Sequence, residues 1–187
     1  MKRMSTTKGK TNTSSITTMT LSAAFIAELR HESSMTRKML ERVPMEQKDW
    51  RPDPKSMSLG RLATHIAEIP RWVPGIIDAD EFDFATADFK SHVASGSEEL
   101  MDIFQGKLDL AIERISAAND EELNKTWTVK RAGQTLMASP KKVALRGWVL
   151  SHFIHHRGQL SVYLRLLGVP VPGMYGPSAD EKTQVKA

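Results

Sequence analysis

A chain of 187 residues with 40% hydrophobic side chains can bury a real core; with no run near the roughly 18 apolar residues of a membrane span, it reads as cytoplasmic and free of membrane contact. The absence of cysteine excludes disulfides, thiolate metal ligands and a cysteine nucleophile, so any thiol in its chemistry must arrive with a substrate. The formal charge of +4 resides in Lys2, Arg3, Lys8 and Lys10; the other 22 basic residues meet 22 acidic ones, and a neutral body predicts no nucleic-acid partner.

Residues 1–19 are rich in Ser, Thr and Lys and too poor in apolar side chains to join a core, so they read as a disordered tail before one domain over 20–187. Leu21, Phe25, Leu29, Met39, Leu40 and Val43 recur at helical spacing, which predicts a first helix over 20–43 closed by Pro44. Pro52 and Pro54 make the next stretch a loop. Ser56 or Ser58 can cap a second helix that reaches about residue 78 with a kink at Pro70. A third helix begins near Ser97, where Glu98 and Glu99 favour the helix dipole, and carries Leu100, Phe104, Leu108, Ile112 and Ile115 on one face. Residues 119–139 fit either a short hairpin around Ala132 and Gly133 or an irregular crossover. Ser139-Pro140 then opens a fourth helix that runs to Gly168.

The fourth helix carries His152-Phe-Ile-His155-His156-Arg157-Gly158-Gln159. Imidazoles four residues apart differ by about 40° around a helix, so His152 and His156 can face one point from within an apolar stripe that includes Leu145, Val149 and Tyr163. His155 falls near 300°, at the edge of the stripe, and is the weaker ligand. On the second helix His65 shares its direction with Leu62, Ile69, Trp72 and Ile76. A single inward histidine is usually a core residue with a hydrogen-bonded neighbour. Three inward histidines each need a partner, and one divalent cation bound by His65, His152 and His156 would satisfy all three.

Smaller expectations follow from the same helical wheel. Gln159, near 340°, can orient a ligand imidazole. Arg157 points about 140° away and reads as an ion-pair partner for Asp180 or Glu181. Gly158 weakens a helix and suggests close backbone approach. Glu68 reads as solvent-facing, and Glu28, His31 and Glu32 as a charged outer face. Leu150, Phe153, Leu160 and Leu164 form a second apolar arc, which predicts a homodimer.

His152-x-x-x-His156-Arg157-Gly158-Gln159, followed by Tyr163-Leu-Arg165, Gly168 and Pro172-Gly-Met-Tyr175-Gly176-Pro177-Ser-Ala-Asp180-Glu181, resembles the C-terminal signature of the DinB/YfiT-like family. Leu40-Glu-Arg-Val-Pro44, Trp50-Arg-Pro52 and Ser58-Leu-Gly-Arg-Leu-Ala-Thr-His65-Ile are similar to its first loop and second helix. The resemblance covers about residues 21–78 and 139–181. It implies an all-α four-helix bundle with a long crossover and a divalent metal, zinc, nickel or iron, held by His65, His152 and His156. Some members of that superfamily are thiol-dependent, using a metal-activated low-molecular-weight thiol on an electrophilic substrate. The resemblance therefore implies a thiol S-transferase or detoxification enzyme. Two alternatives stay open: a non-catalytic, metal-stabilised stress-response or interaction module, and a metal-dependent hydrolase.

Overall fold

The structure, a computed structural model, describes residues 19–87 and 91–181. The tail expected over residues 1–19 lies outside the described residues except for Met19. Helix α1 spans Leu21–Leu40, and the Thr20 hydroxyl caps it by accepting from the Ala23 amide. Leu29, Met39 and Leu40 enter the core. After a short 3-10 turn at Met45–Gln47, Ser58 caps α2, Leu59–Glu68. The expected kink at Pro70 takes the form of a 3-10 turn, Ile69–Arg71, because proline has no amide to continue the α ladder. Helix α3 follows as Trp72–Ile77. Helix α4, Ser97–Ala117, buries Leu100, Phe104, Leu108, Ala111 and Ile115 at steps of three and four.

The ambiguous stretch resolves as a short helix and a hairpin. Asn119 caps α5, Asp120–Asn124, by accepting from the Glu122 amide. Strand β2, Thr126–Arg131, then pairs antiparallel with β3, Gln134–Pro140. Ala132 and Gly133 both take positive φ, 49° and 77°, the geometry a two-residue hairpin turn demands. The expectation of an all-α chain is corrected here. A further strand, β1, Glu81–Asp83, pairs parallel to β2 and completes a three-stranded sheet. Three residues without apolar alternation gave β1 no sequence signature. Trp127 and Val129 of β2 point into the core and fasten the sheet to the helices.

The last helical stretch is not one uniform α-helix. It runs as α6, Lys141–Leu145, then a π turn, Arg146–Ser151, then α7, His152–Leu166. Gly168, with φ of 70°, ends it. Helices α1 and α2 each pack against both α4 and α7, so α7 lies beside the two helices that flank the core. Leu150, Phe153, Leu160 and Leu164 are all at most 1% exposed. The apolar arc taken as a dimer face is covered by the chain itself, so that argument for a homodimer falls away.

Candidate metal centre

His65 projects from α2 toward α7, whose first residue is His152. The two helices pack together and set His65 Nε2 3.1 Å from His152 Nε2. His156, one turn further along α7, closes the group: its ring centroid is 4.6 Å from that of His65 and 4.7 Å from that of His152. One nitrogen from each ring lies within 4.8 Å of the others. Nitrogens about 2.0–2.1 Å from one tetrahedral ion lie about 3.3 Å apart, so the closest pair already has the separation that a shared ion imposes.

The outward nitrogens explain how the rings are aimed. His152 Nδ1 is 3.3 Å from the Trp148 carbonyl, which can only accept, so the proton sits on Nδ1 and the Nε2 lone pair is free. His156 Nδ1 donates to Gln159 Oε1 at 2.7 Å in the same sense. Gln159, exposed on α7, is thus the side chain that holds this ring nitrogen. The Trp148 carbonyl was not legible as a partner, since its reach depends on the π turn just before His152.

Burial lowers the affinity of all three imidazoles for protons. His65 is held down to about 3, by desolvation first, then by His156 and His152 and by the guanidinium groups of Arg61 and Arg71. His152 is lowered by burial and by His156, and His156 by burial against a smaller opposing effect of Gln159. In His152 and His156 a proton on Nδ1 leaves Nε2 as a lone pair, the state that binding of a cation requires. The donor set therefore fits a borderline divalent ion, and three protein ligands leave coordination open for water or substrate. His65 and His152 are only partly buried.

An aromatic cluster is built around Trp148. Trp148, one turn before His152, lies 4.8 Å from Trp72 and 5.8 Å from Trp127 between ring centroids. Phe82 of β1 packs on Trp72 at 5.1 Å and on Phe84 at 5.1 Å. The short strand thus adds a ring from outside the helices to this cluster.

A model of the DinB family matches residues 9–187. The chain belongs to the DinB family. Among proteins similar to this DinB member is the uncharacterized protein YrdA of Bacillus subtilis strain 168, 25% identical over 162 residues, covering 84% of this chain and 89% of that protein. A DinB-like protein of Bacillus cereus ATCC 10987 has a similar structure, with a TM-score of 0.63 at 23% identity over 84% of this chain and 99% of its own. A DinB-like protein of Bacillus subtilis, YjoA, gives 0.60 at 18% identity over 79% and 96%. At these identities the two structures speak to the fold alone.

Other candidates fall elsewhere. His155 is exposed, with its ring 4.7 Å from that of His156 and outside the three-histidine group. Arg157 does not reach Asp180 or Glu181: it is buried and binds Glu32, while Arg165 pairs with Asp180. Glu32 is therefore a core residue and not part of an outer charged face; its place three residues after Leu29 and four before Thr36, on the buried stripe of α1, was the signal for it. Glu28 pairs with Arg146, and His31 is exposed as expected. Glu68 does not face solvent; it is 9% exposed and bridges Arg61 and Arg71. Gly158 makes no close approach, for an added Cβ would meet nothing within 4 Å.

Proposed function

We propose that His65, His152 and His156 hold one divalent cation, zinc, nickel or iron, and that the chain is a metal-dependent enzyme of thiol S-transfer or detoxification type. The observation that carries this reading is the convergence of three imidazoles, two of them with their outer nitrogens already engaged. The reading takes α1, α2 with α3, α4, and α6 with α7 as the four members of one bundle, with the ligands on two facing members. When bound, the cation supplies Lewis acidity that eases deprotonation of a thiol or water taking the open position.

The chain's own residues do the rest. Gln159 and the Trp148 carbonyl fix two of the rings, which keeps the ligand set pre-formed. Trp72 and Trp148 give the site an apolar side on which an electrophile can rest while the thiol sulfur attacks it. Sulfur forms the new bond, the leaving group departs with its electron pair, and the thiol proton passes to solvent. With no cysteine in the chain, the thiol is a substrate. A hydrolytic reading needs a general base, and the carboxylate nearest in sequence to His65, Glu68, is tied to two arginines.

The test is a thiol-transfer assay with a panel of cellular thiols and a generic electrophile, on metal-loaded wild type, metal-stripped wild type and His152→Ala. The reading predicts turnover only in the first. Equal rates in all three would end the enzymatic reading and leave the non-catalytic, metal-stabilised module.

A further inference from the structure

We infer that Arg61 anchors a carboxylate of the small molecule that takes the open position at the three histidines, which makes mercapto acids the thiol class this site prefers. The inference rests on the metal reading of that site and adds to it the charge that its substrate carries.

Arg61, His65 and Glu68 all stand on α2. At about 100° per residue, His65 lies about 40° from Arg61 around the helix and Glu68 about 20° to the other side. The three side chains therefore leave one face, with His65 one turn beyond Arg61 and Glu68 nearly one turn beyond His65. Arg61 Nη1 reaches Glu68 Oε2 at 3.3 Å across that span, which carries the guanidinium alongside the His65 turn. Two of the three rings feel its charge, for it opposes protonation of both His65 and His156.

The guanidinium is held without being used up. Nη1 makes two long contacts, to Glu68 and, at 3.5 Å, to the His92 carbonyl; Nη2 and Nε have no acceptor among the described residues. A guanidinium offers five donors in a fixed fork, and a pair of them matches the two oxygens of a carboxylate. The side chain is 24% exposed, so the group is not sealed into the core.

Glu68 leaves the site positive. Its second oxygen, Oε1, is 3.7 Å from Arg71 Nη1, so one carboxylate is divided between two guanidinium groups and one positive charge remains. The imidazoles bring no negative charge, and a divalent cation would make the excess larger. A site of that sign favours a dianion, which a mercapto acid becomes when its thiol gives up a proton. An uncharged thiol supplies a single negative charge and nothing for the free donors of Arg61.

Cobalt-loaded full-length protein, titrated with 3-mercaptopropionate and with its methyl ester and followed by visible absorption, tests this without turnover. Wild type should bind the acid about 10-fold or more tightly than the ester, the worth of one charge-assisted hydrogen bond. Arg61→Met should keep its cobalt and its helical circular dichroism yet bind the two alike, and Arg61→Lys, which retains the charge without the fork, should recover part of the preference. Equal binding of acid and ester by cobalt-loaded wild type would overturn the assignment of Arg61 and leave the metal reading standing. A preference undiminished in Arg61→Met would also overturn it, because the carboxylate would then be chelating the cobalt itself. Loss of cobalt from Arg61→Met would do the same by reducing Arg61 to a structural partner of Glu68. A wild type that takes up no cobalt would end the metal reading and this inference together.

Discussion

Arg157 and Glu32 form a charge pair in the core, and removing one partner should be costly. Arg157 is 2% exposed and Glu32 5%. The guanidinium donates to Glu32 Oε2 at 2.6 Å, to the Glu32 carbonyl at 3.0 Å, to Thr36 Oγ1 at 3.2 Å and to the Tyr175 hydroxyl at 2.6 Å. Tyr175 donates in turn to Glu32 Oε2 at 2.8 Å, which ties the C-terminal segment to α1 and α7. Arg157→Met keeps most of the volume and leaves a buried carboxylate with only the tyrosine to satisfy it, a loss of about 3–5 kcal/mol. For a chain of this size each kcal/mol moves the melting temperature by about 2–4 °C, so the midpoint should fall by roughly 6–20 °C. Glu32→Leu should cost a similar amount by stranding the guanidinium. The double variant should lose far less than the sum, because an apolar pair replaces an ionic one. Thermal melts followed by circular dichroism give all three numbers. Single variants within about 2 °C of wild type, or a fully additive double variant, would refute the claim that this pair acts as one buried unit.

Three other outcomes follow from the geometry. Gln159→Leu removes the acceptor that aims His156, so metal affinity measured by competition with a chelator should fall by about 10–100-fold with helicity unchanged. Burial holds His65 down to about 3 while the unfolded chain titrates near 6.5. Below about 6.5 the unfolded state therefore binds protons that the fold refuses; the stability of the metal-free protein is full above that pH and declines toward pH 3, which urea melts at several pH values would register. Gly106 and Gly60 should respond oppositely to alanine. At Gly106, exposed in the middle of α4, an added Cβ meets nothing and Gly106→Ala should gain about 1 kcal/mol. At Gly60, whose amide donates to the Lys48 carbonyl, the same atom would lie 2.7 Å from Lys48 Cβ, so Gly60→Ala should lower the melting temperature.

The long helices and the inward direction of the three histidines were legible because helical periodicity reports one face of a helix directly. Leu100, Phe104, Leu108 and Ile115 mark the buried side of α4 in the sequence as they do in the fold. What could not be read depends on chain segments far apart. Strand β1 exists because β2 offers it an edge, and three residues carry no period of their own. Arg157 was assigned to the wrong carboxylate because direction around one helix says where a side chain leaves but not which of two acids waits there; Glu32 lies 125 positions away. The π turn likewise left no signal in the apolar pattern, yet it holds Trp148, whose carbonyl meets His152 Nδ1. Leu150, Phe153, Leu160 and Leu164 looked surplus to one bundle because the apolar arc that the rest of the chain covers is wider than a single stripe.

The central claim, that His65, His152 and His156 form one metal centre, is tested most directly by elemental analysis. Wild type and His65→Ala, loaded with zinc and desalted in parallel, should differ completely: one zinc per chain in the first and close to none in the second, with both equally helical. A wild type that retains no stoichiometric zinc, nickel or iron, or a His65→Ala variant that keeps the full complement, would contradict it.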